Sequence, residues 1–79
     1  MHYVYILFSE KLNRYYIGSS ADIEERVLRH NAGATKSTKS GRPWKIVYTE
    51  KYDSKNKAIK REYYLKRMKS RSFIENLIR

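Results

Sequence analysis

Tyr3-Val4-Tyr5-Ile6-Leu7-Phe8, followed by Ser9-Glu10-Lys11-Leu12-Asn13-Arg14 and then Tyr15-Tyr16-Ile17-Gly18, is the stretch that sets the fold class. β-Branched and aromatic side chains pack well on a pleated surface, and the polar middle segment can turn in water, so the two flanking runs read as the arms of a hairpin. Strand side chains alternate between faces. Tyr3 and Tyr5 therefore share one face, and Tyr16 falls opposite or diagonal to one of them.

Beyond the hairpin the period changes. Over residues 19–32, Ile23, Val27 and Leu28 recur at helical spacing, Ser20 or Asp22 can cap the start, Asp22, Glu24 and Glu25 favour the positive end of the helix dipole, and Gly33 is the stop. Residues 34–43 are small, polar and basic without periodicity and read as an exposed loop. Strand composition returns from Trp44 to Tyr52 through Ile46, Val47 and Tyr48. A second helix runs from Asp53 or Ser54 to about Lys69, with Ala58, Ile59, Glu62, Tyr63, Leu65 and Met68 at helical spacing. A third begins at Ser72, whose hydroxyl pairs with Glu75 three residues on as a capping box, and shows Phe73, Ile74, Leu77 and Ile78 to the core. The order strand, strand, helix, strand, helix, helix gives an α+β fold: a small three-stranded antiparallel or mixed sheet flanked by helices.

Seventy-nine residues make one domain with one modest core. No cysteine is present, which removes disulfide frameworks, a disulfide-linked partner, zinc knuckles and thiol nucleophiles. Charged residues at 33% and a mean hydropathy of -0.84 argue against a membrane protein, and the opening residues lack the basic and apolar pattern of a signal peptide, so the cytoplasm is the expected compartment. Eighteen Lys+Arg against eight Asp+Glu give a formal net charge of +10. The excess is +2 in residues 1–39 and +8 in residues 40–79. A small domain this basic repels itself unless it works beside a polyanion, so nucleic acid is the leading partner. Lys66 and Lys69 in the charge run of the second helix, with Lys36, Lys39 and Arg42 in the loop, are the candidate phosphate contacts; a solvated helix face and a solvated loop are the plain alternatives.

Few residues can do chemistry. With three glycines there is no phosphate-binding loop, and the acids are too sparse for paired-carboxylate or two-metal sites. What remains is the tyrosine set on the hairpin, Arg26 and His30 one helical turn apart beside Ile23 and Val27, and Glu62 on the inward stripe of the second helix. An acid placed there needs a partner, either an arginine or a bound cation, and the residues alone leave both open.

Taken together, Tyr3-Val4-Tyr5, the eleven-residue step from Tyr5 to Tyr16, Tyr16-Ile17-Gly18, Arg26 and His30 in the next helix, Pro43-Trp44 entering a third strand, and Glu62 beyond it resemble the GIY-YIG nuclease domain. The resemblance runs from Tyr3 to about Lys69, and is closest to small single-domain members related to the nuclease domain of the excision-repair UvrC subunit. Two positions depart from it: the leading glycine of the first triplet is replaced by Tyr3, and Ser19 stands where some members carry a lysine. Asn76 is a weak candidate for a late asparagine of the family.

The resemblance implies an endonuclease that hydrolyses DNA phosphodiester bonds with one divalent ion, Mg²⁺ or Mn²⁺, in repair or recombination. In that scheme Tyr5 is the general base, Tyr16 orients water and phosphate, Arg26 neutralises phosphate charge, His30 positions the phosphate or assists Tyr5, and Glu62 holds the ion. A phenol of ordinary pKa, about 10, is scarcely ionised at neutral pH, so either Arg26 and the ion lower that of Tyr5 or activity rises toward alkaline pH. One carboxylate binds Mg²⁺ weakly, so the ion is expected to arrive with substrate. A recruiting protein could supply targeting. The competing readings are a non-catalytic nucleic-acid-binding module with the same basic surface, and an adaptor that docks an acidic protein.

Overall fold

The structure, a computed structural model, describes residues 1–68 and 70–79. Strand β1 (His2–Ser9) lies at the centre of a three-stranded sheet, between β2 (Arg14–Ser20) and β3 (Trp44–Tyr52). Both pairings are antiparallel. The hairpin register sets Tyr5 opposite Gly18 and Leu7 opposite Tyr16, so Tyr16 is the diagonal neighbour of Tyr5 on the same face. The β1–β3 ladder shifts register between Ile6 and Leu7. β3 runs in the same direction as β2, but β1 lies between them, so no parallel pair forms among the described residues.

Helices cover both faces of β1, which explains an unbroken apolar run where a half-exposed strand would alternate. Val4, Tyr5, Ile6 and Leu7 are all 2% exposed or less. On one face Tyr5, Leu7 and Trp44 pack with Tyr16 and with Ile23 and Val27 of α1 (Ile23–Asn31). On the other, Val4 meets Ala58 and Leu65 of α2 (Lys55–Met68), with Ile17, Tyr52, Phe73 and Leu77 closing the margin; the last helix, α3 (Arg71–Ile78), supplies Phe73 and Leu77. Each buried Ile or Leu contributes about 1.5–3 kcal/mol in such a setting.

Helix boundaries follow local hydrogen bonding. Asp22 caps α1 by accepting from Glu25 N at 3.1 Å, and the helix stops where Gly33 takes a φ of +80° that few other residues adopt. Gly33 N donates to the His30 carbonyl and Ala34 N to that of Arg29, a Schellman closure that holds His30 in the last turn. Ser54 caps α2 through Lys57 N.

Three sequence expectations need correction. Ser70, not Ser72, caps α3, accepting from Phe73 N at 3.2 Å; Glu75 is turned instead to Arg71 at 3.1 Å and to Tyr15. Arg71 also donates to Asn13 in the hairpin turn, so α3 is anchored across the fold as well as capped locally. The segment 34–43 is not simply an exposed loop: Lys36–Gly41 forms a 3-10 turn that buries Thr38 and Gly41. The apolar stripes are narrower than their spacing suggested, since Leu28 on α1 and Tyr63 and Met68 on α2 are exposed.

Candidate active site

The five residues singled out for chemistry meet in one cleft of about 500 Å³ at the β2 edge of the sheet, lined among others by Tyr5, Tyr16, Arg26, His30, Glu62 and Lys66. They come from four elements. β1 brings Tyr5, β2 brings Tyr16, α1 brings Arg26 and His30 from one side, and α2 brings Glu62 and Lys66 from the other.

The tyrosine of β1 is seated by the glycine of β2. A Cβ at Gly18 would occupy the space of the Tyr5 phenol, so only glycine opposite Tyr5 lets its hydroxyl lie over the strand and face the cleft. Burial and then the neighbouring Tyr16 push the Tyr5 hydroxyl up to about 12, Arg26 pulls the other way, and the Glu62 carboxylate adds a smaller push upward. Without an ion, Arg26 alone does not lower it: desolvation penalises the phenolate more than a single guanidinium favours it.

His30 is wedged against both tyrosines, its ring centroid 4.9 Å from that of Tyr16 and 6.3 Å from that of Tyr5. It is 2% exposed. Its Nε2 lies 3.3 Å from Tyr5 Oη and its Nδ1 2.8 Å from Thr38 Oγ1. Burial, followed by Arg26 and Arg29, holds its pKa below the usual histidine value, so the ring is neutral at pH 7. Arg26 has no ion-pair partner among the described residues and projects its charge into the cleft.

Each Glu62 carboxylate oxygen has a partner. Ser19 Oγ donates to Oε1 at 2.6 Å and Lys66 Nζ pairs with Oε2 at 2.7 Å. The Lys66 ammonium also stands 6.0 Å from the Tyr16 ring, so a cation near the tyrosines, absent at position 19, reaches the site from α2. Among the described residues no group of three or more His, Asp or Glu could cage a metal. The donor set nevertheless fits a hard cation held by one protein oxygen, the rest of its shell being water and substrate phosphate, because the hydroxyl and the half-exposed ammonium on Glu62 can both be displaced.

The proposed phosphate contacts divide. Lys66 belongs to the cleft. Lys36, Lys39 and Arg42 are exposed around the 3-10 turn, with Arg42 Nε tied to the Lys39 carbonyl at 2.8 Å, and none of the three lines the cleft. Lys69 lies outside the described residues, and Asn76 is exposed on α3 away from the cleft. The residue that sequence reasoning missed is Thr38, 1% exposed beneath His30; its neighbours are small and polar, and nothing in their pattern marks the one that turns inward. The inward turn is held by Trp44, whose Nε1 donates to the Thr38 carbonyl at 2.6 Å.

This fold and this arrangement define a class: residues 1–76 match the GIY-YIG catalytic domain, and the chain belongs to that family. Within it the chain is similar to the UPF0213 proteins. One from Staphylococcus saprophyticus is 46% identical over 66 residues, covering 82% of this chain and 79% of the relative, and one from Halobacterium salinarum is 39% identical over 69 residues, covering 86% and 88%. The solution NMR structure of the UPF0213 protein BH0048 from Bacillus halodurans superposes with a TM-score of 0.59 at 36% identity, covering 98% of this chain and 81% of that one.

Proposed function

We propose that the chain is an endonuclease that hydrolyses DNA phosphodiester bonds in this cleft with the help of one divalent ion, Mg²⁺ or Mn²⁺, and that it serves DNA repair or recombination. The observation that carries the reading is the convergence of Tyr5, Tyr16, Arg26, His30 and Glu62, distant in sequence, on one concave site. The charge of that site supports it: Arg26, Lys55 and Lys66 face a single carboxylate, which suits a phosphate of a polyanion.

Hydrolysis needs a water deprotonated in line with the leaving oxygen and positive charge on the phosphate oxygens. Tyr5 accepts the proton of the attacking water at Oη as its own proton passes to His30 Nε2, 3.3 Å away. The neutral imidazole does what a cation alone does not, since Tyr5 near 12 holds almost no phenolate at pH 7. Tyr16, fixed against the His30 ring, orients the water and the phosphate. Arg26 neutralises charge on the non-bridging oxygens, the P–O bond to the leaving group breaks, and the leaving oxygen takes a proton from solvent. Glu62 is the residue that holds the ion, which when bound supplies further positive charge to the phosphate.

A second groove of about 440 Å³ continues from the cleft past the shared Tyr16 and Lys66, with Ile17, Leu65 and Ile74 along it and Arg14 at its rim. It gives an extended strand room to run beyond the reacting phosphate. Nicking of supercoiled plasmid with Mg²⁺ or Mn²⁺ tests the proposal. Wild type nicks, while Tyr5→Phe and Glu62→Ala bind the plasmid and leave it intact. Plasmid binding by wild type with no cleavage in either metal would favour the non-catalytic module.

A further inference from the structure

The 3-10 turn does more than carry lysines. Thr38 is buried, and its hydroxyl touches two groups: His30 Nδ1 at 2.8 Å and the Thr35 carbonyl at 3.3 Å. A carbonyl only accepts, so a hydroxyl that donates to Thr35 must receive at Nδ1, and the proton between the ring and Thr38 then belongs to the ring. Nε2 is thereby left with its lone pair, and Tyr5 Oη is the group within reach of it, at 3.3 Å. In this pattern each donor of the chain has an acceptor: Tyr5 O–H to Nε2, Nδ1–H to Thr38 Oγ1, Thr38 O–H to Thr35 O. The opposite tautomer points Nε2–H at the Tyr5 oxygen and leaves the imidazole without an open lone pair for the Tyr5 proton.

We infer that Thr38 is a positioning residue that fixes His30 as the Nδ1–H tautomer, so that the ring offers Nε2 to Tyr5 as proton acceptor. The inference rests on the nuclease reading for its catalytic consequence; the tautomer itself does not. Neither the ring nor the threonine can drift, since His30 is held by the Schellman closure of α1 and Thr38 by the Trp44 indole on its carbonyl. Lys36, Ser37, Lys39 and Ser40 of the turn face solvent, and Thr38 is the side chain that the turn sets against His30.

The test is the ¹⁵N spectrum of the histidine side chains in the intact protein, with His30→Gln used to subtract the signals of His2. Neutral His30 is expected to show a pyrrole-type shift at Nδ1 and a pyridine-type shift at Nε2. Thr38→Val, which keeps the shape and removes the hydroxyl, is expected to move His30 toward the other tautomer and to slow plasmid nicking about tenfold, less than the roughly hundredfold or more that losing a general base outright costs. Thr38→Ser is expected to restore both the spectrum and the rate. A wild-type spectrum with the proton on Nε2 overturns the inference, as does a Thr38→Val spectrum identical to wild type. If Thr38→Val does not fold, the wild-type and Thr38→Ser spectra decide alone. A wild type that shows the Nδ1–H form but never cleaves supports the tautomer and overturns the nuclease reading, so the two failures are distinct.

Discussion

The Tyr5 phenol lies across Gly18, its cross-strand partner, in space that any side chain at position 18 would claim. The two triplets Tyr3-Val4-Tyr5 and Tyr16-Ile17-Gly18 are therefore one packing unit. The last residue of the second makes room for the last residue of the first.

Gly18→Ala should displace Tyr5 and cost about 1–3 kcal/mol of stability, the range for one methyl forced into a packed site. Denaturant unfolding measures the stability, and plasmid nicking at a temperature where the variant is folded should show activity as low as that of Tyr5→Phe. Wild-type activity in folded Gly18→Ala would mean that the position of the phenol is unimportant.

On the proposed mechanism, Lys66 and the ion compete for Glu62. Both Glu62 oxygens are already occupied, at 2.6 Å by Ser19 and 2.7 Å by Lys66, so the free protein should bind Mn²⁺ weakly. Lys66→Met should tighten Mn²⁺ binding about fivefold, a modest gain because the lysine is half-exposed and solvent already weakens the pair. Glu62→Gln should abolish it. Calorimetry or the Mn²⁺ resonance spectrum reads both; tight binding by wild type without DNA would contradict the account.

The pH dependence follows from His30 and Tyr5. In the proposed mechanism a neutral His30 takes the Tyr5 proton, and its pKa is depressed by burial and by Arg26 and Arg29, so the acid limb of the nicking rate should lie below the ordinary histidine value. With Tyr5 pushed up to about 12, the rate should not climb tenfold per unit between pH 7 and 9 as a phenolate base would require. Stability has the same sign. The unfolded chain binds the His30 proton more readily than the fold does, so this contribution is complete above the unfolded pKa of about 6.5 and is lost as pH falls from there through the folded value. A pH series of thermal melts on wild type and His30→Gln separates the His30 share.

A second acid serves stability alone. Glu50 on β3 accepts from Arg61 Nε at 3.0 Å and Nη2 at 3.1 Å and from the Tyr52 hydroxyl at 2.6 Å, with Tyr48 also donating. Burial alone would raise its pKa; the Arg61 and tyrosine hydrogen bonds outweigh it and hold the carboxyl below the usual range. Its contribution is therefore present above the unfolded pKa and lost as pH falls through the folded one. Arg61→Met strands a partly buried carboxylate and should cost about 1.5–3 kcal/mol. Nicking per folded molecule should be unchanged, since Arg61 does not line the cleft.

Much of this was readable in the chain because the signals are local. The hairpin, the Asp22 cap, the Gly33 stop and the strand from Trp44 to Tyr52 all rest on residues that act within a few positions of themselves. The α3 start was misread for the same reason: Ser72 and Glu75 make a plausible box, but Glu75 answers to Arg71 and, sixty residues away, to Tyr15. Glu62 stood out because a carboxylate on an apolar stripe is costly, but the expected partner was an arginine or a bound cation, and the structure pairs it with Lys66 one turn along α2 and with Ser19. Thr38 had no such mark, since its burial is decided by Trp44 and His30 from other elements. The rise in the Tyr5 pKa is likewise a property of how deeply the strand is covered.

The most direct test of the central claim is single-turnover nicking of supercoiled plasmid by wild type and Tyr5→Phe, with DNA affinity measured in parallel by fluorescence anisotropy. In the proposed mechanism the phenol oxygen takes the proton of water, so Tyr5→Phe should bind DNA as wild type does and cleave at least about a hundredfold more slowly. Equal rates at equal binding would contradict the account.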